Sequence, residues 1–158
     1  MIRLFHSAQK LNSIFARRAL STTRMTREAL DVSKPTTKNL SDLFGIFNDH
    51  WSPKIAGEIN NMHLKLVKIQ GDFVWHHHET EDELFLVTKG QMKMKIKDPE
   101  ERVEIVNAGE YIIIPKKVEH CPCAAEECEI ILLEPKTTLN TGNIDNDEKT
   151  VKNLGSLI

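Results

Sequence analysis

The chain has 158 residues, 40% of them hydrophobic and 28% charged, which suits one globular domain and leaves little room for a second. Residues 1–24 carry five of the 21 Lys and Arg residues and no acidic residue. The other 16 basic residues stand against all 23 acidic ones, so the remainder has a net charge of −7. This charge excludes nucleic acid as the main partner. Because no apolar run approaches about 20 residues, we expect no membrane-spanning helix.

Residues 1–24 predict a mitochondrial transit peptide. The segment bears arginines and hydroxyl groups, and its apolar residues recur at spacings that make one helical face. Residues 18–21 resemble a matrix-processing site, so we expect a location in the mitochondrial matrix. The alternative is a basic, frayed N-terminus without a targeting role, and Met25 could start a cytosolic form.

Residues 25–50 predict a linker and a short helix. The linker, 26–38, is polar and contains Pro35. The helix is expected near Asn39–His50, because apolar residues recur there at helical spacing. They are Leu40, Leu43, Phe44 and Phe47. We expect this helix to cover the barrel or one of its open edges.

Residues 51–137 predict an all-β domain. Residues 91–97 alternate strictly between polar and apolar, as in a strand with one face in the core and one in water. Further short apolar runs are separated by turn-forming residues, which favours a sandwich or barrel over a parallel α/β sheet. These runs are 63–69, 103–106, 111–114 and 129–133. Residues 138–158 are polar and are predicted to form a flexible tail.

Three histidines and a glutamate in this domain indicate a metal site. On a strand, His76 and His78 point to the same face, so their imidazoles can converge on one ion, and His77 points away. A returning strand that starts at Glu83 can bring its carboxylate opposite them. A second segment, which follows Gly109 and includes a proline, delivers His120.

Both segments resemble the paired motifs of the cupin superfamily. The pattern is G-x4-H-x-H-x4-E-x6-G, then eighteen residues, then G-x5-P-x4-H. WHHHETEDELFLVTKG and EYIIIPKKVEH are similar to small single-domain (cupin type 2) proteins of the uncharacterised bacterial-type group. The resemblance implies a double-stranded β-helix, or jelly-roll barrel, with a short N-terminal helix. It also implies that one divalent metal ion is bound by His76, His78, Glu83 and His120.

Three features depart from the usual pattern without removing a ligand. The first glycine, Gly71, is one residue closer to the histidines than in the commonest pattern. The glycine expected two residues after the proline is Lys117, and the asparagine expected four residues after the histidine is Ala124. Three cysteines also follow His120. We expect them to be thiols that serve as small strand residues, and a separate zinc site is the alternative. They are Cys121, Cys123 and Cys128.

The ligand set favours Fe, Mn or Ni, with Zn as an alternative. A small oxygen-rich substrate such as an enediol, hydroxy-carbonyl or phenol could bind there, with dioxygen as co-substrate. The leading hypothesis is a metal-dependent oxygenase. The alternatives are an isomerase or lyase, with Glu83 as the catalytic base, and a non-catalytic module that binds a metal or small ligand. Open sheet edges favour a homodimer.

Overall fold

The computed structural model describes residues 35–158, so the leader predicted for residues 1–24 lies outside the described part. One short helix and eight strands follow one another in the order α1 Leu40–Phe44, β1 Lys54–Ile59, β2 Met62–Asp72, β3 Glu83–Lys89, β4 Gln91–Lys97, β5 Glu101–Asn107, β6 Tyr111–Ile114, β7 Glu119–Pro135 and β8 Gly155–Ser156. Among these residues, no helix is long and apolar enough to cross a bilayer.

The strands form a jelly-roll sandwich, which confirms the predicted fold class. β7 joins the two sheets, because its first half pairs with β4 and its second half pairs with β3. β2 runs antiparallel to β7 along both halves. One sheet therefore has the order β1, β2, β7, β3 and β6, and the other contains β5, β4, the first half of β7 and the end of β2.

The main core lies between the two sheets. Strand alternation puts Met92, Met94 and Ile96 of β4 inside, each at most 2% exposed, while the lysines between them point outwards. Val87 of β3 and Ile69 of β2 meet this row from the facing sheet. β4 has the bounds predicted from alternation and β6 has those predicted from its short apolar run, since each strand has turn-forming residues at its ends.

A second, smaller core lies on the outer face of β2. α1 begins at the N-cap Asn39, whose side chain accepts a hydrogen bond from the backbone of Ser41, and it ends at Gly45. The helix is shorter than predicted, but Phe44 and Phe47 are buried against Leu66 as expected for a covering element. β2 is therefore buried on both faces.

Residues 138–158 fold back against the barrel, unlike the flexible tail predicted from their composition. β8 pairs in parallel with β1 through Lys54 and Ile55. Thr141 is fully buried and Asn140 is 8% exposed. Polar side chains make this segment compact because they bind its own backbone, a pattern that hydropathy does not detect.

Candidate metal centre

The first two candidate ligands lie on an irregular segment between β2 and β3. The sequence predicts a strand here, but only His76 keeps a β-type pairing, with His120 of β7. His76 N–H donates to the His120 carbonyl at 3.0 Å, and His120 N–H donates back at 2.9 Å. His78 is held by its carbonyl, which accepts a hydrogen bond of 2.7 Å from Lys117 N–H. The two histidines are thus fixed by contacts with residues 117–120.

The other two candidates lie near the starts of two strands. Glu83 is the first residue of β3 and lies opposite Ile114 of β6, on the same inward face as Phe85. His120 is the second residue of β7 and lies between His76 and Ile96 of β4. The long β7 therefore brings the second motif beside the first, at one end of the barrel.

The structure brings all four predicted residues together. One nitrogen or oxygen atom from each lies within 4.8 Å of the others. The exposed fractions are 2% for His76, 5% for His78, 3% for Glu83 and 1% for His120. Glu83 Oε2 is 3.1 Å from His78 Nε2 and 3.3 Å from His120 Nε2.

The polarity of these atoms fits a cation. The Nδ1 atoms of His76 and His120 each donate to a backbone carbonyl at 3.0 Å, of Val74 and Val118, so the Nε2 atoms carry lone pairs. Within residues 35–158, neither these Nε2 atoms nor Glu83 Oε2 has a hydrogen-bond partner. Such buried acceptors are costly to leave unsatisfied, and a positive ion bound between them would remove that cost.

The dimensions fit as well. A metal bound about 2.0–2.2 Å from each ligand keeps opposite ligands within about 4.4 Å of one another. The four ligand atoms lie within 4.8 Å, so they would need to approach by only a few tenths of an ångström. A divalent metal ion is therefore compatible with this cluster.

The pKa shifts suit metal binding at His76 and Glu83 but oppose it at His78. Burial lowers the pKa of His76 to about 4, so its imidazole is neutral near pH 7. Burial opposes charge on His78 too, but Glu83 outweighs it and raises the His78 pKa. The pKa of Glu83 is well below its usual range, because His120 and His78 outweigh the effect of burial.

Residues near the four candidates have other roles. His77 points outwards as predicted, and its Nε2 lies 2.8 Å from Glu79 Oε1. Cys121 and Cys123 are buried on the face of β7 opposite His120, whereas Cys128 is in the main core. Because Cys128 faces the other side of the strand, the three thiols do not form a common zinc site.

A small cavity of about 30 Å³ adjoins His76 and Glu83. Phe73 and Phe85 contribute to a largely apolar lining, and Asn140 closes part of it. A volume of this size holds one or two water-sized groups. The cavity therefore admits water-sized groups beside the candidate ligands and has no room for a larger molecule while the lining residues keep these positions.

A buried ion pair that was not predicted from the sequence lies beside the cluster. Lys65 Nζ lies 2.7 Å from Glu134 Oε1, and both side chains are fully buried. One step beyond the observed Leu84–Leu133 pair, the ladder between β3 and β7 places Glu83 opposite Glu134. Strand alternation could have shown that Lys65 points inward, because it shares the inward face of β2 with Ile69, but its partner Glu134 follows only from the strand register.

The family is shown by comparison with known proteins. The Cupin domain model of the Cupin_2 family matches residues 64–134. A cupin-2 domain containing protein from Shewanella frigidimarina, known from its crystal structure, is 44% identical in sequence to this chain. The match covers 63% of this chain and 94% of that chain, with a TM-score of 0.60. The chain belongs to the cupin-2 family. This confirms the predicted resemblance to small cupins.

Two further comparisons extend the family without defining an activity. The uncharacterized protein YdbB of Bacillus subtilis is 36% identical over 63 residues, which are 40% of this chain and 54% of YdbB. This cupin thus spans about half of that relative. Hydroquinone 1,2-dioxygenase from Sphingomonas is 16% identical, with a TM-score of 0.59 over 65% of this chain and 33% of that enzyme. At that identity, the likeness shows a shared fold alone.

The predicted mitochondrial matrix location is wrong. The relatives that share the cupin motifs come from Bacillus and Shewanella, which are bacteria and have no mitochondria. The prediction relied on the composition of residues 1–24, on the helical spacing of their apolar residues and on a resemblance to a processing site, and these local signals are not specific enough to define a destination.

Proposed function

We propose that this cupin binds one divalent metal ion through His76, His78, Glu83 and His120 and uses it to activate a small oxygen-rich molecule. The observation that carries the proposal is the convergence of four buried ligand atoms without hydrogen-bond partners. Three imidazoles and one carboxylate leave one or two positions open on a five- or six-coordinate ion. Fe, Mn and Ni suit such a site, and Zn is an alternative.

The proposed reaction class is oxygenation of an enediol, hydroxy-carbonyl or phenol. When bound, the metal would supply Lewis acidity and, if it is iron, redox chemistry with dioxygen. The carbonyls of Val74 and Val118 orient His76 and His120, which then need little rearrangement. Phe73 and Phe85 make the lining beside the site largely apolar. With a redox-inert metal, Glu83 would act as the base of an isomerase or lyase.

A non-catalytic metal-binding module is the second candidate, and the size of the cavity favours it. About 30 Å³ next to His76 accommodates water but no substrate, unless lining residues move. The two candidates require the same metal centre. They differ in whether a small molecule reaches it.

Metal content measured by mass spectrometry tests the centre. We expect close to one equivalent of divalent metal in the unaltered chain and less than a tenth of that in a His76→Ala/His120→Ala variant. His77→Ala is the matched control, because this neighbouring imidazole points outwards to Glu79 and should not change the metal content. Absence of metal after reconstitution of the unaltered chain would refute the proposal.

Oxygen consumption then separates catalysis from binding. The metal-loaded chain is incubated with a panel of enediols, hydroxy-carbonyls and phenols, and uptake is followed with an oxygen electrode. Uptake that depends on one compound class and disappears in the His76→Ala/His120→Ala variant supports the oxygenase. Product formation without uptake supports the isomerase or lyase. No turnover of any compound supports the binding module.

We also propose that the cupin domain, 51–137, associates as a homodimer through β5 and β6. Val103, Ile105 and Tyr111 are between 46% and 65% exposed on these two strands, and the far edge of β5 is unpaired in the described sheet. If two copies of β5 pair antiparallel about Val103, Arg102 faces the oppositely charged Glu104 of the second copy. Light scattering should give twice 18.1 kDa, and Val103→Glu should give the monomer mass.

A further inference from the structure

The C-terminal loop, residues 138–151, lies beyond the part of the chain that matches the cupin family, 64–134. It is closed by its own side chains: Asn140 Nδ2 donates to the Lys149 carbonyl at 2.7 Å, and Val151 N–H donates to Asn140 Oδ1 at 2.8 Å. The loop is thus a defined structural unit attached to the barrel.

The loop contacts the backbone between the two candidate ligands of the first motif. His77 N–H donates to Asn143 Oδ1 at 2.9 Å, and Asn143 N–H donates to the His77 carbonyl at 3.1 Å. Asn143 therefore satisfies both backbone groups of His77. These two hydrogen bonds involve no charged group. They act on the backbone that carries the candidate ligands.

Gly142 makes this contact possible because the two backbones approach closely. It has a φ of +51°, and a Cβ placed there would lie 2.2 Å from the His77 carbonyl oxygen and 3.3 Å from His76 Cδ2. No side chain fits into that space. Any substitution at this position must move the loop away from His77.

The contact matters because residues 73–82 have little regular structure of their own. His76 is paired with His120, and His78 accepts a hydrogen bond from Lys117. His77 is the residue between them, and its φ and ψ set the relative directions of the two flanking imidazoles. Without Asn143, the backbone of His77 would be fixed only through its neighbours.

We propose that Asn143 and Gly142 are positioning residues of the metal centre, so that the C-terminal loop completes a site whose ligands all lie in the cupin domain. The inference rests on the proposed function, since it requires that His76 and His78 bind metal. Loss of the Asn143 contact lets the His77 backbone move, which separates the two imidazoles and weakens metal binding. Loss of a hydrogen-bond partner that orients a ligating side chain reduces metal affinity about tenfold to a hundredfold, and for this backbone contact we expect a loss near the lower end of that range.

The test measures Co²⁺ binding to the full chain by calorimetry and by the visible absorption of the bound ion. We expect Asn143→Ala to raise the Kd for Co²⁺ at least tenfold and to change the absorption spectrum. Asn143→Asp keeps an acceptor for His77 N–H and should restore the Kd to within about threefold of the unaltered chain. A purely structural role would not distinguish these two variants by their Co²⁺ spectra.

Two glycine variants form a matched pair. Gly142→Ala places a methyl group against His77 and should raise the Kd at least tenfold. Gly109→Ala imposes similar backbone strain, because its φ is +88°, but nothing lies within 4 Å of the added Cβ. It should lower the melting temperature of the metal-free chain while leaving the Kd unchanged, which separates strain from positioning.

The outcomes distinguish this inference from the proposed metal centre. If the unaltered chain binds no Co²⁺, the metal centre fails and the inference fails with it. If the unaltered chain binds Co²⁺ and Asn143→Ala binds it equally well, only the inference is overturned. Equal weakening by Gly109→Ala and Gly142→Ala, or by Asn143→Asp and Asn143→Ala, also overturns it, because general destabilisation would then explain the loss.

Discussion

The buried ion pair between Lys65 and Glu134 offers a quantitative test of the structure. Both side chains are fully buried, their closest charged atoms are 2.7 Å apart, and Glu134 Oε2 has no hydrogen-bond partner within residues 35–158. Lys65→Met replaces the ammonium group with an apolar chain of similar length. The variant leaves the Glu134 carboxyl group in the core without its partner.

The expected loss of unfolding free energy is about 3–5 kcal/mol, the cost of breaking a buried pair by removing one member. Replacing both members removes the unpaired charge, so Lys65→Met/Glu134→Leu should recover most of that loss. Lys68→Met is the control on the same strand. Its ammonium group lies 3.7 Å from the 40%-exposed side chain of Glu127, so we expect a loss below about 1 kcal/mol.

The pH dependence has a definite sign. Burial, together with the charge of Glu83, raises the pKa of Glu134 to about 7 against the pull of Lys65. A carboxyl group with a raised pKa in the folded state favours folding most below its unfolded pKa, and that advantage is lost as pH rises through the folded value. Without Lys65 the pKa rises further, so the loss in Lys65→Met should be larger at pH 8.5 than at pH 5.5.

Urea unfolding of the metal-free chains at both pH values measures these differences. A single Lys65→Met variant that is no less stable than Lys68→Met would show that Lys65 is not buried in the native state. A double variant as unstable as Lys65→Met would show that the loss arises from packing and that the unpaired carboxyl group of Glu134 contributes little.

Two further predictions concern the metal centre and the turn beside it. Because Glu83 raises the pKa of His78, metal binding must displace a proton. Calorimetry should therefore show Co²⁺ affinity falling as pH decreases below neutrality, with proton release; a pH-independent affinity would contradict this. Lys117 has a φ of +68°, so Lys117→Gly should relieve strain of about 1–2 kcal/mol and lose about 0.5–1 kcal/mol to chain entropy. Urea unfolding should show a net gain of up to about 1.5 kcal/mol, and a decrease would argue against the strained turn.

Several parts of the molecule could be predicted from local patterns. β4 and β6 have the predicted bounds, because alternation and turn residues are local signals. β7 was predicted only for 129–133 but runs from 119 to 135. Its first half was missed because Pro122, small residues and adjacent glutamates interrupt the apolar pattern. The register with β2 and β4 nevertheless keeps it extended.

The sequence by itself determined the cupin fold and the four candidate ligands, since motif residues with fixed spacing define both. Metal binding by these ligands remains a prediction. Only the tertiary structure decided that Lys65 and Glu134 pair inside the barrel and that Asn143 holds His77. The two contacts join residues that are 69 and 66 positions apart in the chain, respectively. A contact of that kind depends on strand register and loop path, which no local pattern of polarity specifies.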